Sequence, residues 1–252
     1  MSLSRRGLLG AGLLLGAGCA AAPRAHRGRS APERTATPSS PPVAGAADRP
    51  PAEITHGPRT APAVALTFHG AGDPALATAL LDEAERRGAS VTVLAVGSWL
   101  DVHPAMARRI LGGGHELGNH TYTHPVLPRL DAAAAYAEIT RCSDVLRRLT
   151  GSPGHWFRPS GTPHTTPLIT TQARKAGYTT CLSYDVDPRD YSDPGPDTVT
   201  RLLLGAVQAG SIVSLHLGHP GTVTALPAIL AGLQNRRLRA VTVGTLLSRQ
   251  EG

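Results

Sequence analysis

From residue 61 onward, short apolar runs alternate with segments of helical periodicity. Residues 64–68 predict a strand, and residues 75–87 predict a helix because Leu76, Leu80 and Ala84 recur at helical spacing. The alternation continues, predicting strands at 90–96, 155–158, 178–184 and 211–216, helices at 104–111, 130–149, 167–176, 197–209 and 223–233, and a last apolar segment at 240–243. Repeated strand–helix units predict an α/β fold whose parallel strands close into a compact barrel with outer helices.

Polar side chains follow several of these strands at their carboxyl ends. His69 follows the first strand, Arg158 ends the strand at 155–158, Asp185 and Asp187 follow the next, and His216 ends the last. Catalytic side chains of parallel barrels lie at this end of the strands. We therefore expect these residues to share one site.

Two histidines, His120 and His124, are four residues apart in the run Asn-His-Thr-Tyr-Thr-His-Pro. At this spacing two imidazoles can meet one metal ion from consecutive turns. The His-Glu-x-x-His pattern of zinc proteases is excluded, because Thr121 stands at the position of the glutamate. Among 11 histidines such a spacing also arises by chance, so the pair alone is weak evidence for a metal site, and the alternative is two histidines that cap a loop.

The first 19 residues are typical of an export signal, with Arg5 and Arg6 before a short apolar stretch at 7–18. Twelve apolar residues are too few to span a bilayer. The segment resembles a twin-arginine signal that ends in a lipoprotein cleavage box, which would leave Cys19 lipidated. The alternative is cleavage by the ordinary signal peptidase near residues 20–22 and full secretion.

Most of the net charge of +7 lies ahead of the predicted domain. Residues 20–60, rich in Ala, Pro, Arg and Ser, predict a disordered tether, and residues 61–252 form the domain. Residues 1–60 carry eight Arg and three acidic residues, whereas the 17 basic and 15 acidic residues that follow leave only +2. Nucleic-acid binding needs clustered basic residues on the domain, so we expect no nucleic-acid partner, and membrane attachment only through the lipid at Cys19.

The two remaining cysteines are Cys142 in a predicted helix and Cys181 in a predicted strand. In an oxidising compartment they could form a disulfide. The sequence favours two separately buried thiols, because free cysteine is a common core residue.

Five motifs occur in the order found in polysaccharide deacetylases, carbohydrate esterase family 4. They are Thr67-Phe68 with Asp73-Pro74, His120-Thr-Tyr-Thr-His124, Phe157-Arg158-Pro159, the run Asp-Val-Asp-Pro-Arg-Asp-Tyr at 185–191, and Leu215-His216. The chain resembles this family over roughly residues 62–235. The resemblance implies a distorted (β/α) barrel, one divalent metal that is usually zinc, and release of acetate from N-acetylated sugars.

The resemblance also implies roles for individual residues. His120 and His124 match two metal ligands, and His216 matches the general acid that protonates the leaving amine. Arg158 and Asp187 match a polar pair that orients the catalytic groups. A histidine titrates near neutral pH, which suits proton transfer by His216.

The first motif departs from the family pattern Thr-Phe-Asp-Asp-Gly-x-Asp-Pro. His69 and Gly70 replace the two adjacent aspartates that serve in the family as general base and third metal ligand. In one arrangement His69 is the third ligand beside His120 and His124, and Asp73 or Asp187 accepts the proton. In the other, His69 is the base and Asp73 reaches the metal. The sequence favours the first, because His69 lies at the strand end.

These observations predict an exported, zinc-dependent hydrolase that removes N-acetyl or similar acyl groups from a polysaccharide or peptidoglycan. Its partner would be an N-acetylated glycan at the outer face of the cytoplasmic membrane, or outside the cell if the protein is secreted. The first alternative is a non-catalytic glycan-binding or wall-associated lipoprotein that lost both motif aspartates. The second is a carbon–nitrogen hydrolase acting on a small amide.

Overall fold

The computed structural model describes residues 50–248 of the 252-residue chain. The strands are β1 (Glu53–Ile54), β2 (Ala63–Gly70), β3 (Thr92–Ala95), β4 (Glu116–Asn119), β5 (Cys181–Leu182), β6 (Ile212–His216) and β7 (Arg239–Val241). The helices are α1 (Pro74–Arg86), α2 (Gly97–Val102), α3 (Ala105–Gly112), α4 (Ala132–Thr150), α5 (Pro167–Lys175), α6 (Pro196–Ala206), α7 (Pro220–Asn235) and α8 (Val243–Leu247). Two 3₁₀ turns lie at Leu127–Arg129 and Asp190–Ser192.

All strand pairs between these elements are parallel. The main sheet has the order β4-β3-β2-β6, β7 also pairs with β2, and β1 pairs with β5. Single-residue bridges extend the ladder, because Phe157 bridges both Asn119 of β4 and Cys181 of β5, and Val186 bridges Val213 of β6. Together the strands and bridges connect β4 back to β6 through the segments at Phe157, β5 and Val186, which closes the sheet into a distorted barrel. The predicted α/β barrel is confirmed.

The central strand β2 is buried on both faces, and its two faces have different neighbours. Leu66 and Phe68 belong to the larger apolar cluster, which includes the α1 and α7 side chains that cover the sheet. Ala63 and Ala65 belong to a second cluster with residues of β5, β6 and α8. Since successive side chains of a strand point to opposite faces, His69 lies on the same face as Ala63 and Ala65.

The helix ends follow local sequence signals. Asp73 precedes Pro74 at the start of α1, and its carboxylate accepts a hydrogen bond from the backbone N–H of Ala75 at 2.8 Å. Asp131 caps α4 in the same way, and α4 ends at Gly151, whose φ of 80° lies in the left-handed region that glycine adopts without strain. These caps fix where α1 and α4 begin and where α4 ends.

Several predicted elements differ from the structure. The strand expected at 155–158 is reduced to the bridge at Phe157, and the one expected at 178–184 to Cys181–Leu182. Strands β1 and β4 and helices α2 and α8 were not predicted. The tether boundary at residue 60 is too late, because β1 pairs with β5 through its backbone and Gly57 donates to the carbonyl of Gly210 at 2.7 Å.

The export signal and most of the tether, residues 1–49, lie outside the described residues. Across residues 50–248 we find no helix with the length and apolar character that crossing a membrane requires.

Candidate metal centre and active site

Three histidines meet at the mouth of the barrel. His69 ends β2, His120 directly follows β4, and His124 lies four residues further on. One ring nitrogen from each residue lies within 4.8 Å of those of the other two. The ring centroids are 4.2 Å apart for His69 and His120 and 4.8 Å apart for His120 and His124. The structure therefore brings together the three residues that the first of the two arrangements required.

The segment that carries His120 and His124 is a loop, not a helix. Thr121 and His124 adopt left-handed backbone conformations, with φ of 66° and 59°. The carboxylate of Glu138 on α4 holds this loop by accepting the backbone N–H groups of Tyr122 and Thr123 at 3.0 and 2.8 Å. A loop held in place by Glu138 therefore brings His120 and His124 together. The expectation that they meet the metal from consecutive helical turns is wrong.

The hydrogen bonding of His120 leaves one of its two ring nitrogens available to a metal. Its Nδ1 lies 2.9 Å from the backbone carbonyl of Arg158, which can only accept, so Nδ1 carries the proton. Its Nε2 is therefore a lone-pair donor, and this buried atom has no hydrogen-bond partner in the described part of the chain. Such a tautomer is typical of a metal-ligating histidine.

Burial holds the pKa of both His69 and His120 well below 6.5, and the neighbouring histidines lower it further. Burial also lowers the pKa of His124. Neutral imidazoles are the form that binds a divalent metal. Together with the unpartnered Nε2 of His120, this donor set fits one divalent metal ion.

A buried carboxylate that sequence analysis did not select holds His216. One oxygen of Asp190 lies 2.8 Å from Nδ1 of His216, and the other accepts the backbone N–H of His216 at 2.8 Å and the hydroxyl of Thr222 at 2.6 Å. With Nδ1 protonated towards Asp190, Nε2 of His216 is free to exchange a proton. The ring of His216 lies 4.3 Å from that of His69, so the pair adjoins the histidine cluster.

A second histidine–carboxylate pair lies beside the first. His219 and Asp193 are also 2.8 Å apart, but the Asp193 side chain is 65% exposed whereas that of Asp190 is fully buried. The rings of His216 and His219 are 5.7 Å apart, and the exposed Tyr191 lies 5.4 Å from His216. The general-acid position therefore has aromatic neighbours on more than one side.

Two of the predicted catalytic aspartates are not part of the histidine cluster. Asp73 is exposed and its carboxylate caps α1. Asp187 is exposed and accepts the backbone N–H of Arg189 at 2.8 Å. The expected pair between Arg158 and Asp187 is not formed, because no ion pair or hydrogen bond joins them in residues 50–248.

Arg158 is instead buried and bound to backbone carbonyls. Its guanidinium donates to the carbonyl of Ser183 at 2.9 Å and to that of Leu182 at 3.4 Å, while Nη1 has no partner among the described residues. Burial lowers the pKa of Arg158 to about 10, so the group stays charged near neutral pH. A fixed positive charge therefore lies near the histidine cluster, where it also lowers the pKa of His69.

Cys142 and Cys181 are both buried and are not joined. Burial raises the pKa of Cys142 to about 12, so its thiol stays protonated. The prediction of two separate thiols is confirmed.

Comparison with known proteins identifies the family. Residues 56–181 match the family model described as polysaccharide deacetylase. The chain belongs to the polysaccharide deacetylase family. A chitooligosaccharide deacetylase from Bradyrhizobium sp. (strain ANU 289) is 32% identical over 189 residues, which cover 69% of this chain and 85% of that protein.

Solved structures of the family show the same fold. The crystal structure of a peptidoglycan N-acetylglucosamine deacetylase in complex with 4-naphthalen-1-yl-N-oxidanyl-benzamide aligns with a TM-score of 0.73 at 26% identity, covering 78% of this chain and 93% of that one. A carbohydrate esterase family 4 pseudoenzyme from Bacillus anthracis aligns with a TM-score of 0.74 at 23% identity, covering 79% of this chain and 70% of that one. At that identity the second likeness shows the fold alone.

Proposed function

We propose that the protein is an exported metal-dependent hydrolase that removes N-acetyl groups from the amino sugars of a polysaccharide or peptidoglycan. The observation that carries this proposal is the three-histidine cluster beside the buried Asp190–His216 pair. Relatives named chitooligosaccharide deacetylase and peptidoglycan-N-acetylglucosamine deacetylase support this substrate class.

His69, His120 and His124 are proposed to hold the metal, and three imidazoles are a donor set that suits zinc. When bound, the metal supplies a Lewis acid that polarises the acetamide carbonyl and makes water a stronger nucleophile. Burial keeps the imidazoles neutral, and the carbonyl of Arg158 fixes the ring of His120.

His216 is proposed to carry protons through Nε2. Asp190 fixes the ring and stabilises its charged form, so Nε2 can take a proton from the attacking water and pass it to the leaving amine. The proton-accepting role expected of Asp73 or Asp187 is not part of this proposal, because the carboxylate of Asp73 caps α1 and that of Asp187 accepts the backbone N–H of Arg189. Arg158 contributes a buried positive charge beside the reacting groups.

The sequence supports the proposed location. The charged and apolar start of the chain supports export, and the cleavage box supports a lipid anchor at Cys19 and a tether that carries the domain away from the membrane. An N-acetylated glycan of the cell wall is the substrate such an anchored enzyme would meet. The nearly neutral domain supports no nucleic-acid partner.

One observation favours the alternative of a non-catalytic glycan-binding lipoprotein. The first motif brings no carboxylate to the histidine cluster, and Nη1 of Arg158 has no partner among residues 50–248. Such a protein would bind N-acetylated glycan without releasing acetate.

The test is acetate release by the zinc-loaded full chain from chito-oligosaccharides and from peptidoglycan, with His216→Asn as the matched variant. We expect release that needs metal and falls about 10²–10⁴-fold in the variant. Zinc binding with glycan binding but no acetate from either substrate would favour the binding protein. Activity confined to small amides would instead indicate a different carbon–nitrogen hydrolase.

A further inference from the structure

His69 has a buried hydroxyl partner on the neighbouring strand. The Oγ of Ser214 lies 3.3 Å from Nε2 of His69. Strands β2 and β6 pair in register here, with Thr67 opposite Ser214 and His69 opposite His216. Ser214 is buried, and within residues 50–248 its side chain has no other hydrogen-bond partner.

This contact distinguishes the two ring nitrogens of His69. A neutral imidazole has one N–H and one lone-pair nitrogen, and a metal takes the lone pair. With Nε2 directed at the Ser214 hydroxyl, Nδ1 is the nitrogen left for a ligand. His120 is arranged the other way round, because its Nδ1 is bound to the carbonyl of Arg158 and its Nε2 has no partner in the described part of the chain.

We propose that His69 binds the metal through Nδ1, His120 binds it through Nε2, and Ser214 is the positioning residue that accepts the Nε2–H of His69. The inference rests on the proposed function and adds how this chain orients the ligand that replaces the family's carboxylate. Bonds to the outer nitrogen of a ligating histidine fix its tautomer and typically contribute 10–100-fold to metal affinity.

The geometry at Gly70 explains why the orientation of His69 matters. A side chain at this position is obstructed, since its Cβ would lie 2.9 Å from Cα of Ala95 and 2.7 Å from Cγ1 of Val93. A carboxylate at position 70 would therefore require β3 to move. His69 is therefore the metal ligand that the end of β2 contributes, and the hydroxyl of Ser214 orients its ring.

The direct test is the tautomer of His69 in the zinc-loaded full chain, read from long-range ¹H–¹⁵N NMR spectra and assigned with His69→Gln. We expect His69 to be protonated at Nε2 with zinc on Nδ1, and His120 to be protonated at Nδ1 with zinc on Nε2. A zinc-bound His69 protonated at Nδ1 would overturn the inference.

The second test is zinc affinity by competition with a chelator. We expect Ser214→Ala to weaken zinc binding about 10–100-fold. Thr67→Val is the matched control, because it removes a buried hydroxyl on the same strand pair that donates to the carbonyl of Val213 and, among the described residues, makes no hydrogen bond to the ring of His69. Equal affinity in Ser214→Ala and wild type, or equal losses in both variants, would contradict a positioning role.

Zinc binding and acetate release distinguish the two proposals. If the wild-type protein binds no zinc, the proposed metal centre is wrong. If the wild-type protein binds zinc and releases acetate, and Ser214→Ala binds zinc equally well, only the role of Ser214 is wrong.

Discussion

Asp190 and His216 form a buried carboxylate–imidazole pair with a separation of 2.8 Å between Oδ1 and Nδ1. The second oxygen of Asp190 is held by the backbone N–H of His216 and by Thr222, so the carboxylate has little freedom to rotate. This arrangement sets the tautomer of His216. The neighbouring pair of Asp193 and His219 has the same separation but is exposed on its carboxylate side.

The first prediction concerns Asp190→Asn. An amide cannot stabilise a charged imidazole, and its N–H₂ group favours the tautomer with the proton on Nε2. We expect kcat for acetate release to fall about 10²–10⁴-fold, while zinc content stays near that of wild type.

Asp193→Asn is the matched control, and we expect it to change kcat only slightly because solvent already surrounds that carboxylate. Equal losses in the two variants would show that both pairs act in catalysis. An unchanged kcat in Asp190→Asn would contradict the role given to His216.

The second prediction concerns the replaced motif. We expect His69→Ala to lose the zinc that wild type retains after dialysis. Adding Gly70→Asp to His69→Ala should not restore it, because the Cβ at position 70 meets the backbone of Ala95. Zinc measured per chain by elemental analysis, with circular dichroism as a check of folding, decides the outcome. Full zinc content in the double variant would show that β3 can move and that a carboxylate at position 70 can bind the metal.

How well each element could be predicted depended on how much of its signal is local. Strand β2 and helix α1 were predicted because their apolar runs and periodicity are strong. Strand β4, with the sequence Glu-Leu-Gly-Asn, has little apolar signal and is defined by its pairing with β3. Strand β1 is only two residues long and depends on pairing with β5, whose partner residues lie 128 positions later in the chain.

The site shows the same limit. Strand ends and spacing pointed to His69, His120, His124 and His216. The run at 185–191 contains three aspartates, and its sequence does not say which one turns inward. The left-handed conformation of Arg189, with φ of 55°, and the 3₁₀ turn that follows place Asp190 beneath His216 and leave Asp187 exposed.

The third prediction concerns the lipid anchor. In a bacterial host that processes lipoproteins, we expect the mature chain to begin at a lipidated Cys19 and to fractionate with the membrane. Cys19→Ser should move it out of the membrane fraction, whereas Cys142→Ser should not, since that thiol is buried in the domain. Mass spectrometry of the N-terminal peptide gives the answer. An unmodified start near residues 20–22, with protein in the medium, would instead show ordinary secretion.

The last prediction concerns the buried His115, which lies away from the metal centre. Its Nδ1 accepts the backbone N–H of Val91 at 3.1 Å, and its Nε2 lies 3.2 Å from the carboxylate of Glu85. Protonating Nδ1 would break the bond to Val91, and burial lowers the pKa of His115 below its usual value.

Below about pH 6.5 the unfolded chain binds a proton at His115 that the folded protein takes up only at lower pH. The free energy of unfolding should therefore decrease as the pH falls from 7.5 to 5.5, with His115 contributing at most about 1.4 kcal/mol per pH unit. His115→Asn should show a shallower dependence in urea denaturation of the metal-free protein. His155→Asn, at an exposed position, is the control and should follow wild type, and equal slopes in all three proteins would contradict the prediction.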